Sequence, residues 1–268
     1  MMFRLNEGSY LFARTGDQSI DLFEVSKFRV MRMDAKNKNE TEVMLGVIAH
    51  EVRPPLQAII TAANVIETHG VGGESLNRCV RIIIRQANFL GGVFDSLYLY
   101  AGIQSNRCLD QIEYVCFSDL IDQAIESCAP FGEMKRIKFY KECSSSGFIE
   151  CLPVLVIQAI INLISNAIKF SSDGGQITIW SSSDRTCTRA HVRDSGRGMR
   201  QDQIDEIFHL FNRGGIKEGG GLGIGLYLSA LFVKLHNGRI SVSSDGVGCG
   251  AEFTIELPNI IMPGSSRQ

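Results

Sequence analysis

Apolar residues recur at seven-residue intervals along two stretches of the chain. In the first, the rows are Leu45, Val52, Ile59, Ile66 and Ile48, Pro55, Ala62. In the second, they are Leu76, Ile83, Leu90, Leu97 and Val80, Ala87, Phe94, Ala101. Spacings that alternate between three and four residues predict two long amphipathic helices. Glycines at positions 70, 72 and 73 predict a tight connection, and therefore an antiparallel helical hairpin.

A hairpin with one apolar stripe on each helix cannot enclose a core by itself. Pairing with a second copy would complete a four-helix bundle, so we predict a homodimer. The alternative is that the stripe packs onto the rest of the same chain.

Beyond residue 114 the pattern changes to short strands interrupted by helices, with helices predicted over 118–131 and 154–171. This alternation predicts an α/β sandwich, and the fold class of the whole chain is α+β. We divide the chain into an N-terminal segment or linker at 1–33, the hairpin at 34–103, the sandwich at 114–259 and a tail at 260–268. The first segment contains a candidate β-hairpin within 10–25.

Composition argues against nucleic-acid binding and against a membrane span, and the cysteine pattern favours the cytoplasm. The net charge of −2 gives no electrostatic footprint for nucleic acid. We expect no direct membrane span, because no uninterrupted apolar run reaches the length of a bilayer crossing, and no signal peptide is evident. The eight cysteines are scattered without a Cys-x-x-Cys pair, which favours reduced thiols and a cytoplasmic protein.

Two polar clusters carry candidate chemistry. His50 and Glu51 place an imidazole beside a carboxylate, and the heptad register puts His50 outside the apolar seam, towards solvent. Further along, Asn162, Asn166 and Lys169 are spaced by four and three residues and share one helix face. Asparagine oxygen suits Mg²⁺, and lysine suits phosphate. A plain polar surface stripe is the alternative for this second cluster.

Two glycine-rich segments follow. In the first, Asp194 precedes a turn at 195–199 whose glycines allow close approach of the backbone, so its carboxylate could accept a hydrogen bond from a base amine. The second, at 214–225, precedes a helix whose N-terminal amides could bind phosphate, and its glycines suit a lid. Neither segment fits a dinucleotide fingerprint, a P-loop or the protein-kinase motifs.

In their order along the chain, these segments resemble the sensor histidine kinases of bacterial two-component signalling, over about 34–259. The resemblance implies that 34–103 is a dimerisation and histidine-phosphotransfer domain and that 114–259 is an ATP-binding domain of the Bergerat type. It makes His50 the phosphoacceptor and Glu51 its adjacent acid. It also implies ATP and Mg²⁺ as cofactors, with Asn166 on the metal, and the receiver domain of a response regulator as partner.

The same resemblance assigns the remaining nucleotide-binding residues, with Asp194 reading adenine. They are Asn162, Asn166, Lys169, Asp194, Gly196, Gly198, Phe208, Phe211, Arg213, Gly221, Gly223 and Gly225.

Two departures from the family pattern affect these expectations. The family usually has Thr or Asn four residues after the histidine, where it positions water for dephosphorylating a partner, whereas Pro54 stands here. We therefore expect weak phosphatase activity. Pro54 and Pro55 also remove helical donors and predict a kink, since an interior proline costs about 3 kcal/mol. The second departure is a short lid between Arg213 and Gly221.

Two other functions stay open. One is a kinase-inactive ATP-binding scaffold that regulates another kinase by heterodimerisation. The other is an ATPase or serine kinase with the same ATP fold.

Overall fold

The long helices form the predicted hairpin. The computed structural model describes residues 2–4, 10–16, 19–25, 38–70, 72–104, 112–143, 147–204, 206–208 and 225–259, with side chains described from Val52 onward except at a few helix and strand positions. Helix α1 spans Lys38–His69 and α2 spans Gly73–Gln104. Gly70 and Gly73 turn the chain between them with φ of 55° and 58°, left-handed values that glycine adopts at little cost.

The apolar rows of the two helices lie on different faces. On α1, Pro55 and Ala62 are buried and Val52, Ile59 and Ile66 are half-buried. On α2 the row from Leu76 to Leu97 is half-buried, while the other row is exposed: Phe94 shows 57% of its surface and the neighbouring Tyr98 shows 80%. The hairpin therefore covers one stripe internally and leaves a second stripe on its surface.

Helix α1 continues through Pro54 and Pro55, of which Pro54 is exposed and Pro55 buried. The predicted kink stays a prediction. The side chains of His50 and Glu51 lie outside the described residues, although their backbone belongs to α1.

The N-terminal segment contains a small antiparallel sheet. Its strands are β1 (Met2–Arg4), β2 (Tyr10–Gly16) and β3 (Ser19–Val25), in the order β1-β2-β3. The candidate β-hairpin corresponds to β2 and β3, which pair from Tyr10 opposite Val25 to Gly16 opposite Ser19. The sequence pattern did not indicate β1.

The rest of the described chain is an α/β sandwich. Its elements are β4 (Glu113–Cys116), α3 (Phe117–Met134), β5 (Lys138–Cys143), β6 (Phe148–Cys151), α4 (Pro153–Phe170), β7 (Gln176–Ser183), β8 (Cys187–Asp194), α5 (Gln201–Ile204), α6 (Gly225–Leu235), β9 (Arg239–Ser243) and β10 (Ala251–Pro258). Five strands form a sheet in the order β5-β7-β8-β10-β9, and β4 pairs with β6 separately. The predicted mixed fold is confirmed, and β6 is a strand that the sequence pattern missed.

Helix α4 lies in the core, where it packs against the sheet and against the helices α3 and α6. Its apolar side chains Ala159, Ile160, Leu163 and Ile164 have no exposed surface, and they pack with alternate residues of β7, β8 and β10. Its 18 residues have a mean hydropathy of 1.6, so length and composition alone would allow it to cross a membrane. Our sequence test for uninterrupted apolar runs missed this helix, whose apolar face serves instead as the core of the sandwich.

The opposite face of the sheet is polar and organised around one aromatic residue. Trp180, the chain's single tryptophan, stacks on His191 with ring centroids 4.7 Å apart and planes 2° from parallel. Glu252 accepts hydrogen bonds from Arg193 and contacts His191. Cross-strand pairs of this kind hold the register of neighbouring strands.

A buried histidine joins two distant parts of the sandwich. His236, just after α6, is 1% exposed, and its Nε2 accepts the backbone N–H of Leu152 at 2.9 Å. Its Nδ1 lies 2.7 Å from the carbonyl oxygen of Phe232, which accepts the other ring proton. The ring is therefore neutral, and burial lowers the pKa of His236 to about 4.

We predict that this neutral ring makes stability depend on pH. With a pKa near 6.5 in the unfolded chain and about 4 in the folded one, its contribution is complete above pH 6.5 and falls progressively towards pH 4. The full loss is about 3 kcal/mol of unfolding free energy. The unfolding free energy measured with urea should be lower at pH 5 than at pH 7.5 in the wild type, and this difference should be much smaller in His236→Phe. The same difference between the two pH values in both proteins would contradict the prediction.

Candidate functional site

The polar edge of α4 supplies the first part of the site. Pro153 at the first turn and the apolar run after it form the helix, and burial of one face turns the other towards the candidate site. Asn166 is half-buried, and its amide hydrogen-bonds to no other described residue. Lys169, in the last turn of α4, keeps contact with solvent although neighbouring protein partly desolvates its ammonium group. Both side chains are therefore available to a ligand.

Asn162, one turn earlier, is already engaged. Its Nδ2 donates to the carbonyl oxygen of Gly225 and to the hydroxyl of Ser229, both at 3.1 Å. Ser229 in turn donates to Gly225 at 2.8 Å, and Gln158 donates to the Asn162 oxygen at 3.3 Å. This network ties α4 to the first turn of α6, directly after the glycine-rich segment. The sequence did not indicate this brace, and direct contact of Asn162 with a nucleotide stays a prediction.

Asp194 ends β8 and is 7% exposed. Its Oδ1 accepts the backbone N–H of Gly196 at 2.8 Å. Burial raises the pKa of Asp194, while the N–H groups of Gly196 and Ala251 and the charge of Arg197 act in the opposite direction. A carboxylate held this way is a fixed hydrogen-bond acceptor in a poorly solvated place, which suits recognition of an amine on a planar base.

Three glycines let the backbone segments around Asp194 approach one another. A Cβ on Gly196 would lie 2.5 Å from the carbonyl oxygen of Phe170, and one on Gly250 would lie 2.0 Å from that of Asp194. Gly198 has φ of +63°, and a Cβ there would lie 2.0 Å from the carbonyl oxygen of Gly246. The turn after β8 therefore fits between α4 and the β9–β10 loop only with glycine at these positions.

Side-chain hydroxyl bonds fasten the same turn to the β9–β10 loop. The Met199 N–H donates to the hydroxyl of Ser244 at 3.0 Å, and that hydroxyl donates to the Gly250 carbonyl at 2.6 Å. The Gly250 N–H donates to the Gly196 carbonyl at 3.0 Å. These bonds fix the turn that follows Asp194 against the β9–β10 loop.

Cationic groups gather at the end of α4. The Lys169 ammonium lies 4.7 Å from the ring centroid of Phe170, and the Arg197 guanidinium carbon lies 4.2 Å from the same centroid. Desolvation by the surrounding protein, and then the positive charge of Arg197, lower the pKa of Lys169 to about 8. The site therefore combines a buried acceptor with two nearby cations.

The helical hairpin contacts the sandwich beside this site. Val93 of α2 is buried in an apolar cluster with residues of α4, α6 and the segment before α4: Leu152, Leu155, Leu228, Phe232 and Leu235. Val52 of α1 and Tyr227 at the start of α6 pack against the same cluster. Since Val52 is two residues after His50, the part of α1 that contacts this cluster is next to His50 in the sequence.

Comparison with known proteins identifies the sandwich. Residues 151–260 match the model of the family described as histidine kinase-, DNA gyrase B- and HSP90-like ATPases. They are a domain of that ATPase family. The ATPase domain thus contains α4, Asp194 and α6.

Curated relatives extend the similarity over most of the chain. The chain is 27% identical to the sensor histidine kinase RppB of Synechocystis over 220 residues, which are 80% of this chain and 48% of that protein. It is 37% identical to the alginate biosynthesis sensor protein KinB of Pseudomonas aeruginosa over 213 residues, which are 78% of this chain and 36% of that protein. The chain therefore spans less than half the length of these relatives.

A solved structure shows the same overall fold. The histidine kinase ThkA, in a complex with the response regulator protein TrrA, matches 96% of this chain and 77% of its own chain, with a TM-score of 0.64 and 20% identity. The predicted combination of a helical hairpin and an α/β ATP-binding domain is confirmed.

Of the residues predicted to bind the nucleotide, the ATPase domain brings together those of α4 and those of the turn after β8. The other predicted residues do not lie in this group. Phe208 packs edge-on against Phe253, with centroids 6.5 Å apart, and so contributes to the core as well. Several predicted residues lie outside the described part of the chain: Phe211, Arg213, Gly221 and Gly223. Ser229 and Phe170 received no role from the sequence, because their contributions arise from contacts with distant residues.

We predict that Gly198→Ala distorts the turn after β8. The substitution places a Cβ against the Gly246 carbonyl and forces an unfavourable φ, so the unfolding free energy should fall by about 1–3 kcal/mol. Denaturant unfolding measures the change. Gly72→Ala is the matched control, because nothing lies within 4 Å of its Cβ position and its φ is not positive. An equal effect of the two substitutions would contradict this account of the turn.

Proposed function

We propose that this chain is a protein-histidine kinase that transfers phosphate from ATP to His50 and then to an aspartate of a response regulator. The observation that supports the proposal is the contact between the helical hairpin and the ATPase-family domain, in which Val93 of α2 and Val52 of α1 pack with the apolar cluster that includes Leu228 and Phe232 of α6. An ATP domain alone would be compatible with many reactions. A histidine-bearing helix packed against it favours phosphotransfer to that histidine.

In this proposal Asp194 accepts the exocyclic amine of adenine, and Lys169 interacts with a phosphate. The fit of Mg²⁺ rests on the donor chemistry of Asn166, whose half-buried amide oxygen is unused within the described structure. When bound there, the metal would neutralise phosphate charge. The backbone amides of the glycine-rich segment before α6 would add further stabilisation of that charge.

The transfer itself requires a neutral imidazole. A ring nitrogen of His50 attacks the γ-phosphorus in line, the bond from that phosphorus to the β–γ bridging oxygen breaks, and ADP leaves. Glu51 accepts the other ring proton or orients the ring. The phosphoryl group then moves from His50 to a carboxylate oxygen of a receiver aspartate. Since ATP is an intracellular nucleotide, we place the reaction in the cytoplasm.

The exposed stripe of the hairpin supports a homodimer. Its large apolar residues are Leu56, Ile60, Val80, Ile84, Phe94 and Tyr98. On α2, from Val80 to Tyr98, these residues follow heptad spacing, which is the pattern that buries side chains between helices. A second hairpin would cover this surface and complete a four-helix bundle.

The first test is labelling with γ-³²P-ATP and Mg²⁺. Wild-type protein, dimeric by light scattering, should acquire an acid-labile, base-stable label. His50→Gln should reduce the label to background, and Asn166→Ala should reduce it by at least about tenfold. His191→Gln is the control, because His191 lies on the opposite face of the sheet. Tight ATP binding without label would instead favour the scaffold, and ATP hydrolysis without label would favour an ATPase of the same fold.

Phosphatase activity is a separate prediction. Pro54 is exposed on α1 four residues after His50 and has no hydroxyl or amide to orient water. We expect the wild type to leave the decay of a phosphorylated receiver unchanged and Pro54→Thr to accelerate it several-fold. Strong acceleration by the wild type, measured as release of inorganic phosphate, would overturn this part of the proposal.

A further inference from the structure

We propose that Arg197 is a second phosphate-binding cation of the nucleotide site, acting beside Lys169. This inference rests on the proposed ATP binding and assigns a role to a residue that is not among the nucleotide-binding residues expected from the sequence.

The backbone of Arg197 is fixed on two sides. Its N–H is 3.4 Å from the carbonyl oxygen of Phe170 at the end of α4, and its own carbonyl accepts the N–H of Gly248 at 2.6 Å. Gly196 and Gly198 on either side permit the close packing described above. Arg197 is therefore held at the junction of the three segments that surround Asp194.

The side chain shares an aromatic ring with Lys169. With the guanidinium carbon 4.2 Å and the ammonium 4.7 Å from the centroid of Phe170, both cations are held near the same ring. The cation–π contact restricts each side chain before any ligand binds. The two cations also repel each other. The pKa of Lys169 is lowered first by desolvation and then by the positive charge of Arg197.

Among the described residues, neither cation forms an ion pair with a carboxylate. Within the described part of the chain, Arg189, Arg193 and Arg200 each form an ion pair with an acidic side chain. No such pair involves Lys169 or Arg197 there. Asp194 interacts electrostatically with Arg197, but its carboxylate is held by the Gly196 N–H and lies in the position for the base.

This arrangement fits a ligand that combines a planar base with several negative charges. Asp194 would accept the amine of the base, while the polyphosphate would relieve the repulsion between the two cations. A guanidinium suits phosphate because its planar donors can bind two oxygens at once. The alternative is that Arg197 only stacks on Phe170 to stiffen the wall of the pocket, in which case its removal would affect all ligands that contain the base.

The experiment compares affinities for ATP, ADP, AMP and adenosine by titration calorimetry, with wild type, Arg197→Met and Arg197→Lys. We expect Arg197→Met to weaken ATP and ADP binding by about tenfold, AMP binding less and adenosine binding not at all. Arg197→Lys should recover part of the loss. Raising the salt concentration should weaken ATP binding more in the wild type than in Arg197→Met.

Arg200→Met is the matched control. Arg200 lies three residues further along, is largely exposed and pairs with Asp202, so its removal should leave all four affinities unchanged. Circular dichroism and thermal unfolding verify that each variant is folded. Should Arg197→Met fold poorly, Arg197→Lys, which keeps the charge, and Arg197→Gln, which does not, provide the same comparison.

The outcomes separate this inference from the proposed function. No effect of Arg197→Met, or an equal loss for all four ligands, would overturn the role of Arg197 but not the proposed binding of ATP by the wild type. Failure of the wild type to bind ATP would overturn the proposed function itself, and the inference with it.

Discussion

The burial of α4 is the constraint on which the rest of the ATPase domain depends. One face of the helix contributes fully buried Ala159, Ile160, Leu163 and Ile164 to the core. Because the helix cannot rotate without exposing that face, its opposite edge has to present Asn162, Asn166 and Lys169 in one direction. Full burial of each of the three larger side chains, Ile160, Leu163 and Ile164, contributes about 1.5–3 kcal/mol. Hydrophobic burial therefore orients the polar residues of the candidate site.

The second constraint is electrostatic. Asp194 is buried, and Lys169 and Arg197 lie around one ring without an ion-paired carboxylate among the described residues. Burial disfavours the ionised forms of Asp194 and Lys169, and the like charges of Lys169 and Arg197 repel each other, which destabilises the folded domain. The glycine contacts and backbone hydrogen bonds around the turn after β8 keep the groups together despite that cost. Strained or poorly solvated polar groups of this kind concentrate at sites that a ligand completes.

The sequence pattern predicted the elements whose apolar residues repeat at a regular spacing. The heptads indicated α1 and α2, and alternating strands and helices indicated the sandwich, because each pattern repeats within a few residues. The bracing role of Asn162 was not predictable, since Ser229 lies 67 residues away. Arg197 and Phe170 are likewise adjacent only after β8 and α4 are packed. The heptad rule also did not indicate which row of α2 would face α1 and which would stay exposed, because both rows have the same spacing.

Helix α6 connects the two functional parts of the chain. Its first turn is braced by Asn162 at the edge of the candidate nucleotide site, while Leu228 and Phe232 on its apolar face pack in the cluster that includes Val93 of the hairpin. This cluster is smaller than the core of the sandwich, and several of its hairpin members, such as Val52 and Leu97, are only partly buried. Separating the hairpin from the domain would therefore expose much less apolar surface than unfolding the domain. A contact of that size suits the proposed phosphotransfer, because His50 has to meet the nucleotide in one step and a receiver domain in the next.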